Sequence, residues 1–191
     1  GARPSLLLSV EVTLTDDDEL RVQLAPHRDA VEIDASDAEA IARDPIPWRV
    51  GDRMFIALEN PPRLLQHWST RGVPSPMALP EEILRHARPN RSFEAIACRM
   101  VDHRLELWAG MESSLTIDGP EATEEQGALC RVLVFTGRTN LELARQSFYR
   151  TESRPKSIID AKAQHGLVEF AALPDGRILA LERSLTIPRA Y

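Results

Sequence analysis

Residues 167–187 read LVEFAALPDGRILALERSLTI, and they carry the clearest structural signal in the chain. The central Pro174-Asp175-Gly176 is typical of a tight turn, because proline presets its own φ angle and glycine accepts a positive φ. Apolar residues flank this turn on both sides. The stretch therefore predicts a β-hairpin with strands over Leu167–Leu173 and Arg177–Ile187.

Alternating apolar residues predict further strands along the chain. Apolar residues occupy every second position from Leu6 to Leu14, and Asp16-Asp17-Asp18 separates them from a returning strand over residues 20–24. Residues 128–136 are apolar on both faces, which is typical of a strand at the centre of a sheet. We expect about ten strands in an antiparallel barrel or sandwich. The other expected strands are residues 31–33, 53–59, 92–101, 104–109 and 113–117.

Helix-start signals predict short helices that cover this sheet. Ser36 with Glu39, and Thr139 with Glu142, have the spacing of a capping box. The expected fold class is therefore α+β and rich in β structure, with three or four short covering helices. We expect a single domain over residues 1–191, with a helical insertion at about 60–91. Four expected helical segments are residues 36–43, 61–68, 80–87 and 141–149, and residues 158–164 are a candidate for one more.

The composition is that of a soluble globular protein. With 191 residues and 43% hydrophobic content, the chain can bury one core and is too apolar to be disordered. No apolar run approaches the ~18 residues of a membrane span. The net charge of −6 argues against nucleic acid binding over a whole surface. The 21 arginines against two lysines indicate a GC-rich bacterial or viral genome.

Short motifs predict neither a metal site nor a cofactor site. The five histidines form no H-x-H or H-E-x-x-H pattern, and no G-x-S-x-G is present, so catalytic residues stay unassigned. Cys98 and Cys130 belong to no C-x-x-C pair and lie in apolar strands. We expect both thiols to be reduced and buried, which fits a cytoplasmic protein.

Charge is concentrated near the start of the chain. Residues 11–39 hold ten acidic side chains against two arginines, a net charge of −8, which leaves +2 for the remainder. This asymmetry favours head-to-tail association or a basic protein partner. The favoured function is a non-enzymatic protein-interaction or assembly module with an acidic N-terminal edge. Its expected partner is another protein or a copy of the same chain.

Three charged residues lie on apolar strand faces. If the hairpin pairs in simple register, Val168 faces Glu182, and Arg131 and Arg99 have similar apolar neighbours. Because buried charges are unusual unless paired, Arg131 and Glu182 are expected to meet. One interpretation is a structural ion pair. The other is a polar site in a barrel mouth, where Arg99, Arg131 and Glu182 hold an anionic small molecule. That site defines the alternative function, a small barrel enzyme or ligand-binding protein.

Two short segments resemble motifs of known families. Residues 49–53, RVGDR, and 90–95, NRSFEA, resemble the paired motifs of the PilZ family, which implies a barrel that binds cyclic di-GMP. Ala95 stands where that family has glycine. Residues 173–184, LPDGRILALERS, are similar to blade hairpins of β-propeller enzymes, including the phytase-like esterases. The second match covers twelve residues, and no activity or site residue is assigned from it.

Overall fold

The computed structural model describes residues 5–7, 10–14, 20–24, 31–33, 37–46, 51–70, 73–156 and 161–188. Within them the chain consists mostly of antiparallel strands, with one α-helix. Among these residues, no helix has the length and apolar character needed to cross a membrane. The elements are β1 (Ser5–Leu7), β2 (Val10–Leu14), β3 (Leu20–Leu24), β4 (Val31–Ile33), β5 (Ala38–Arg43), β6 (Arg53–Leu58), β7 (Arg63–Trp68), β8 (Ser75–Pro76), α1 (Glu81–His86), β9 (Phe93–Val101), β10 (Arg104–Met111), β11 (Leu129–Gly137), β12 (Leu141–Arg150), β13 (Ala161–Ala172) and β14 (Ile178–Pro188).

A four-stranded sheet in the order β12-β11-β10-β9 forms the centre of the fold. β11 pairs with β10 on one side and with β12 on the other, which confirms the predicted central strand. Leu133 and Phe135 of β11 belong to one buried core cluster, whereas Val132 and Val134 belong to another. Since successive residues of a strand point to opposite faces, this sheet has a core on each side.

A second sheet and the C-terminal hairpin cover the two faces of this central sheet. The second sheet, in the order β5-β6-β7-β8, contributes Phe55 and Leu64 to one core cluster. The β13-β14 hairpin contributes Leu167 and Phe170 to the other cluster. Two further ribbons pair β2 with β3 and β1 with β4. Among the described residues no sheet closes into a barrel, so the fold is β-rich and the expected barrel is not found.

The β13-β14 hairpin confirms the turn predicted from the sequence. The Leu173 N–H donates to the Arg177 carbonyl at 2.8 Å, and Gly176 has a φ of +87°. A β-bulge then inserts Val168 into β13, so that Leu167 faces Glu182. The expected pairing of Val168 with Glu182 is therefore wrong by one residue, because simple register did not allow for the bulge.

Three of the expected helices are strands. The segments near residues 36–43, 61–68 and 141–149 form β5, β7 and β12. Each of them pairs with a buried neighbouring strand. Pairing satisfies the backbone groups of both strands, and this requirement outweighs a local capping signal. The α+β class with several helices is accordingly corrected to a mostly antiparallel β fold.

The helical insertion is also corrected. The described part of residues 60–91 contains β7, β8 and α1, and α1 is the only helix there. It confirms the helix predicted after Pro80. The expected strand at residues 113–117 is not formed: residues 113–115 are buried but irregular, and an exposed turn follows from Thr116, whose N–H donates to the His86 carbonyl. The last expected helix overlaps β13 from residue 161, and residues 157–160 lie outside the described part of the chain.

Buried polar groups connect the layers. The Arg53 and Asp44 side chains are fully buried and form an ion pair at 2.6 Å between Nη2 and Oδ2. Arg53 Nη1 also donates to the Thr139 carbonyl at 2.8 Å, which ties the second sheet to the turn before β12. Cys98 and Cys130 are free thiols, as expected, although Cys98 is only half-buried. Burial raises the pKa of both thiols to about 12.

Candidate functional site

Three glutamates from different elements meet in the interior. Glu59 follows β6, Glu94 lies on β9 and Glu112 follows β10. Each offers a carboxylate oxygen, and these oxygens lie within 4.8 Å of one another. Their exposed fractions are only 7%, 7% and 3%. We call these three residues the glutamate cluster.

Burial raises the pKa of each carboxyl group in the glutamate cluster, and nearby negative charges add to this effect. Burial is the largest cause for Glu59, and the charge on Glu94 adds to it, so that the pKa of Glu59 reaches about 7. Burial also raises the pKa of Glu112 to about 7, although Arg91 opposes this, and it raises the pKa of Glu94. The cluster therefore gains negative charge as the pH passes through neutrality.

Two guanidinium groups accompany the three carboxylates. Arg91 Nη1 donates to Glu112 Oε1, and Arg183 Nη2 lies 3.2 Å from Glu94 Oε1. Glu59 Oε1 is buried and has no hydrogen-bond partner among the described residues. An unsatisfied buried carboxylate oxygen carries a substantial desolvation cost. A proton or a cation at this atom would remove that cost.

Further carboxylates lead from the cluster to the surface. Asp37 and Glu39 lie at the start of β5, and their carboxylate oxygens lie within 4.8 Å of each other and of Glu59. Asp37 is half-buried and Glu39 is exposed. Glu59 therefore belongs to both an interior and a surface group of carboxylates.

A cavity of about 400 Å³ adjoins the cluster through Arg91. Arg91 lines this cavity, and its Nη2 donates to the His165 carbonyl at 2.8 Å. Arg88 brings a second guanidinium, whose Nη2 donates to the Gly119 carbonyl at 2.8 Å. Asn90, Thr116, Glu121, Gln164 and His165 also line the cavity, and Glu121 accepts a hydrogen bond from Arg91 Nε at 3.1 Å. Guanidinium, amide and hydroxyl groups of this kind suit an anionic or strongly polar ligand.

Of the predicted site residues, Arg131 and Arg99 have separate acidic partners. Arg131 binds Asp118 through two hydrogen bonds, at 2.6 Å from Nε and 2.9 Å from Nη2. Arg99 Nε donates to Glu106 at 2.8 Å, and its guanidinium lies 4.9 Å from the centre of the Trp108 ring. The structure therefore does not bring these two arginines together in one site.

Glu182, the third predicted site residue, belongs to another network. It accepts hydrogen bonds from the Tyr149 hydroxyl at 2.6 Å and from the Glu152 N–H at 2.9 Å. Its Oε2 also lies 2.6 Å from His165 Nε2. The expected contact between Arg131 and Glu182 is thus wrong, because each side chain binds other partners. Ligand binding by these residues stays a prediction.

The sequence analysis missed the glutamate cluster, although a weak signal for it exists. Glu59, Glu94 and Glu112 each lie within or directly beside a buried apolar strand, as Glu94 does between Phe93 and Ala95. A charged residue in such a place needs a partner. Only the three-dimensional arrangement shows that the three carboxyl groups lie together.

The segments that resemble the PilZ motifs have a structural role here, since Arg53 and Arg91 both form buried ion pairs.

Comparison with known proteins finds a family. A family model described as phytase-like, with an esterase-like activity of phytase, matches residues 5–191. The match covers nearly the whole chain. No curated protein matches the chain significantly, and no solved structure does.

A double-mutant cycle tests where Arg131 and Glu182 bind. We expect Arg131→Ala and Glu182→Ala to lower the free energy of unfolding additively, within about 0.5 kcal/mol, because they contact different partners. Arg131→Ala and Asp118→Ala should couple by roughly 0.5–3 kcal/mol, because they form the two-bond ion pair. Denaturant unfolding of the single and double variants measures both couplings. A coupling to Glu182 as strong as that to Asp118 would contradict the structure.

Proposed function

The chain belongs to the phytase-like family, described by an esterase-like activity of phytase, and from this premise we propose that it hydrolyses phosphate esters with a divalent cation held by the glutamate cluster. The observation that carries the proposal is the buried Oε1 atom of Glu59, which has no hydrogen-bond partner among the described residues. A buried polar site beside a cavity favours the ligand-binding alternative over a purely structural role.

The glutamate cluster fits a hard cation such as Ca²⁺. This ion binds six to eight oxygen ligands at about 2.3–2.6 Å. Carboxylate oxygens within 4.8 Å of one another can surround one such ion, and Asp37 and Glu39 lie close enough to Glu59 to contribute. Arg91 and Arg183 supply two positive charges for three buried carboxylates. A cation would therefore improve the charge balance of the interior.

Arg91 connects the cluster to a place for the phosphate group. Arg88 and Arg91 both line the neighbouring cavity, and planar guanidinium groups bind phosphate well. An ester held there would lie beside the carboxylates. A bound divalent cation supplies Lewis acidity and lowers the pKa of a coordinated water. The residues of this chain would orient the ester, hold the ion and exclude bulk water.

Stability without added cation is expected to depend on protons bound by the cluster. Folding raises the pKa values of Glu59 and Glu112 from 4.5 to about 7, so the folded state binds more protons between these values. Their contribution to stability is full below the unfolded pKa, and it is lost as the pH rises through about 7. The thermal midpoint should fall over this range in EDTA. Ca²⁺ should raise the midpoint most above this range, as scanning calorimetry can measure.

Glu59→Gln provides the decisive variant for the cation site. It removes one ligand and one titrating group, so it should abolish the response to Ca²⁺ and flatten the pH dependence. Glu106→Gln is the matched control, since Glu106 is a buried glutamate that binds Arg99 and Trp108 instead. An equal Ca²⁺ response in wild type and Glu59→Gln would show that the cluster holds no cation.

Hydrolysis tests the activity itself. Wild-type protein in Ca²⁺ should release inorganic phosphate from a phosphorylated polyol, and EDTA or Glu59→Gln should abolish this release. Glu106→Gln should retain the activity, because its side chain lies outside the cluster. If Ca²⁺ stabilises the protein and no phosphate is released, the cation site stands and the phosphate-ester hydrolase is wrong.

An exposed apolar strip favours a second candidate function, the protein-interaction or assembly module. Leu179, Leu181 and Leu185 on β14 have exposed fractions of 52%, 60% and 45%. Their odd-numbered positions place them on one side of the strand. Apolar strips of this kind favour contact with another protein surface. The acidic segment, residues 11–39, lies mostly outside the described side chains.

Sedimentation measurements test the module. If the acidic segment holds copies of the chain together, the mass should fall toward that of the monomer above ~0.5 M salt, because screening is then strong. Leu181→Asp should lower the mass at low salt if the apolar strip contributes. Val73→Asp is the matched control, at an 82% exposed residue that lies outside β14. A wild-type monomer at low salt would rule out self-association.

A further inference from the structure

The β13-β14 hairpin places a serine, a histidine and a glutamate in one hydrogen-bonded row. Ser184 pairs with His165 across the ladder, and Ser184 Oγ lies 2.7 Å from His165 Nδ1. The other ring nitrogen, His165 Nε2, lies 2.6 Å from Glu182 Oε2. A nucleophile, a base and a carboxylate that orients the base are the three parts of a serine hydrolase site.

The hydrogen bonds determine which nitrogen of His165 carries the proton. A carboxylate can only accept hydrogen bonds, so Nε2 must donate to Glu182. When the ring is neutral, Nδ1 is an acceptor, and Ser184 Oγ donates to it. Nδ1 is therefore in position to take the hydroxyl proton. The two ring nitrogens exchange the roles they have in chymotrypsin-type enzymes, without change in the chemistry.

The surroundings hold the base and leave the nucleophile accessible. Glu182 is fixed by the Tyr149 hydroxyl and by the Glu152 N–H. Burial, followed by the hydrogen bond to Glu182, raises the pKa of Tyr149 to about 12, so its hydroxyl remains a donor. The backbone of His165 is held by Arg91 at 2.8 Å, and its side chain is buried. Ser184 itself is exposed.

We propose that Ser184, His165 and Glu182 form a second hydrolytic site, which cleaves small polar carboxylic esters without a metal ion. Ser184 Oγ bonds to the acyl carbon while its proton passes to His165 Nδ1. The alcohol leaves with that proton as its bond to the acyl carbon breaks. A water molecule then gives a proton to Nδ1 and bonds to the acyl carbon. The bond between that carbon and Ser184 Oγ breaks, Oγ takes the proton back from Nδ1, and the acid is released.

The neighbouring cavity indicates the class of ester. His165 lies in its wall together with Arg88, Thr116 and Gln164. These side chains offer hydrogen-bond donors and positive charge, and Glu121 adds a carboxylate, so the wall is mainly polar. A short acyl group with a polar or anionic substituent fits such a wall better than a fatty acyl chain. This activity is independent of the cation site proposed above.

The experiment combines covalent labelling with ester hydrolysis, both in EDTA. A fluorophosphonate probe should modify Ser184 in the wild-type protein, as peptide mass spectrometry can show. Hydrolysis of p-nitrophenyl acetate should fall to background in Ser184→Ala. Thr186→Ala is the matched control, because Thr186 is another exposed hydroxyl residue on β14, and it should keep the wild-type rate.

Variants of the other two residues distinguish chemistry from folding. His165→Gln should lower kcat by roughly 10²–10⁴-fold, the usual contribution of a general base. Glu182→Gln should lower kcat at unchanged KM, since Glu182 is a positioning residue, and Glu182→Asp should restore part of the rate. Thermal midpoints identify any variant that fails to fold. Absence of a label on Ser184, or undiminished hydrolysis in folded Ser184→Ala, would overturn the proposal.

Discussion

The buried ion pair between Arg91 and Glu112 is the interaction on which the remaining structure depends. The backbone of Glu112 bonds to Ser92 beside β9 and accepts from Leu167 of β13, and its carbonyl also accepts the Cys130 thiol of β11. Arg91 extends the same contact to the His165 carbonyl. The backbone of Glu112 and the side chain of Arg91 thus both link the central sheet to the hairpin. A charge buried in this way is tolerated only while its partner is present, so both residues are constrained by each other.

The buried environment of this ion pair also explains why neighbouring carboxyl groups have raised pKa values. The same low-polarity interior that strengthens the contact raises the pKa values of Glu59 and Glu112. Arg91 neutralises Glu112 and leaves Glu59 without an equivalent partner among the described residues. An occupant that binds the folded state alone would stabilise it by mass action. The interior therefore favours a cation for the same reason that it needs Arg91.

Local sequence patterns predicted the strands whose formation depends on their own residues. They failed for segments whose structure depends on pairing with residues far away in the sequence. The Pro174-Asp175-Gly176 turn and the apolar β11 need only their own sequence. The capping box at Thr139 and Glu142 predicted a helix, yet pairing with β11 made this segment a strand. Glu59 and Glu112 are 53 positions apart, so no spacing rule joins them. Arg131 lay in a correctly predicted strand, but its partner Asp118 belongs to a turn.

The bulge at Val168, which the sequence analysis did not predict, determines which side chains of the hairpin face each other. Without it, the register at Phe170 and Ala180 would continue and place Ser184 opposite Gly166, which has no side chain. The extra residue shifts the ladder by one position, so that Ser184 faces His165. Gly166 then lies against Glu112, where a Cβ atom would stand 2.6 Å from the Glu112 carbonyl oxygen. Gly166 lets the hairpin pack closely against the ion pair, and the bulge places Ser184 opposite His165.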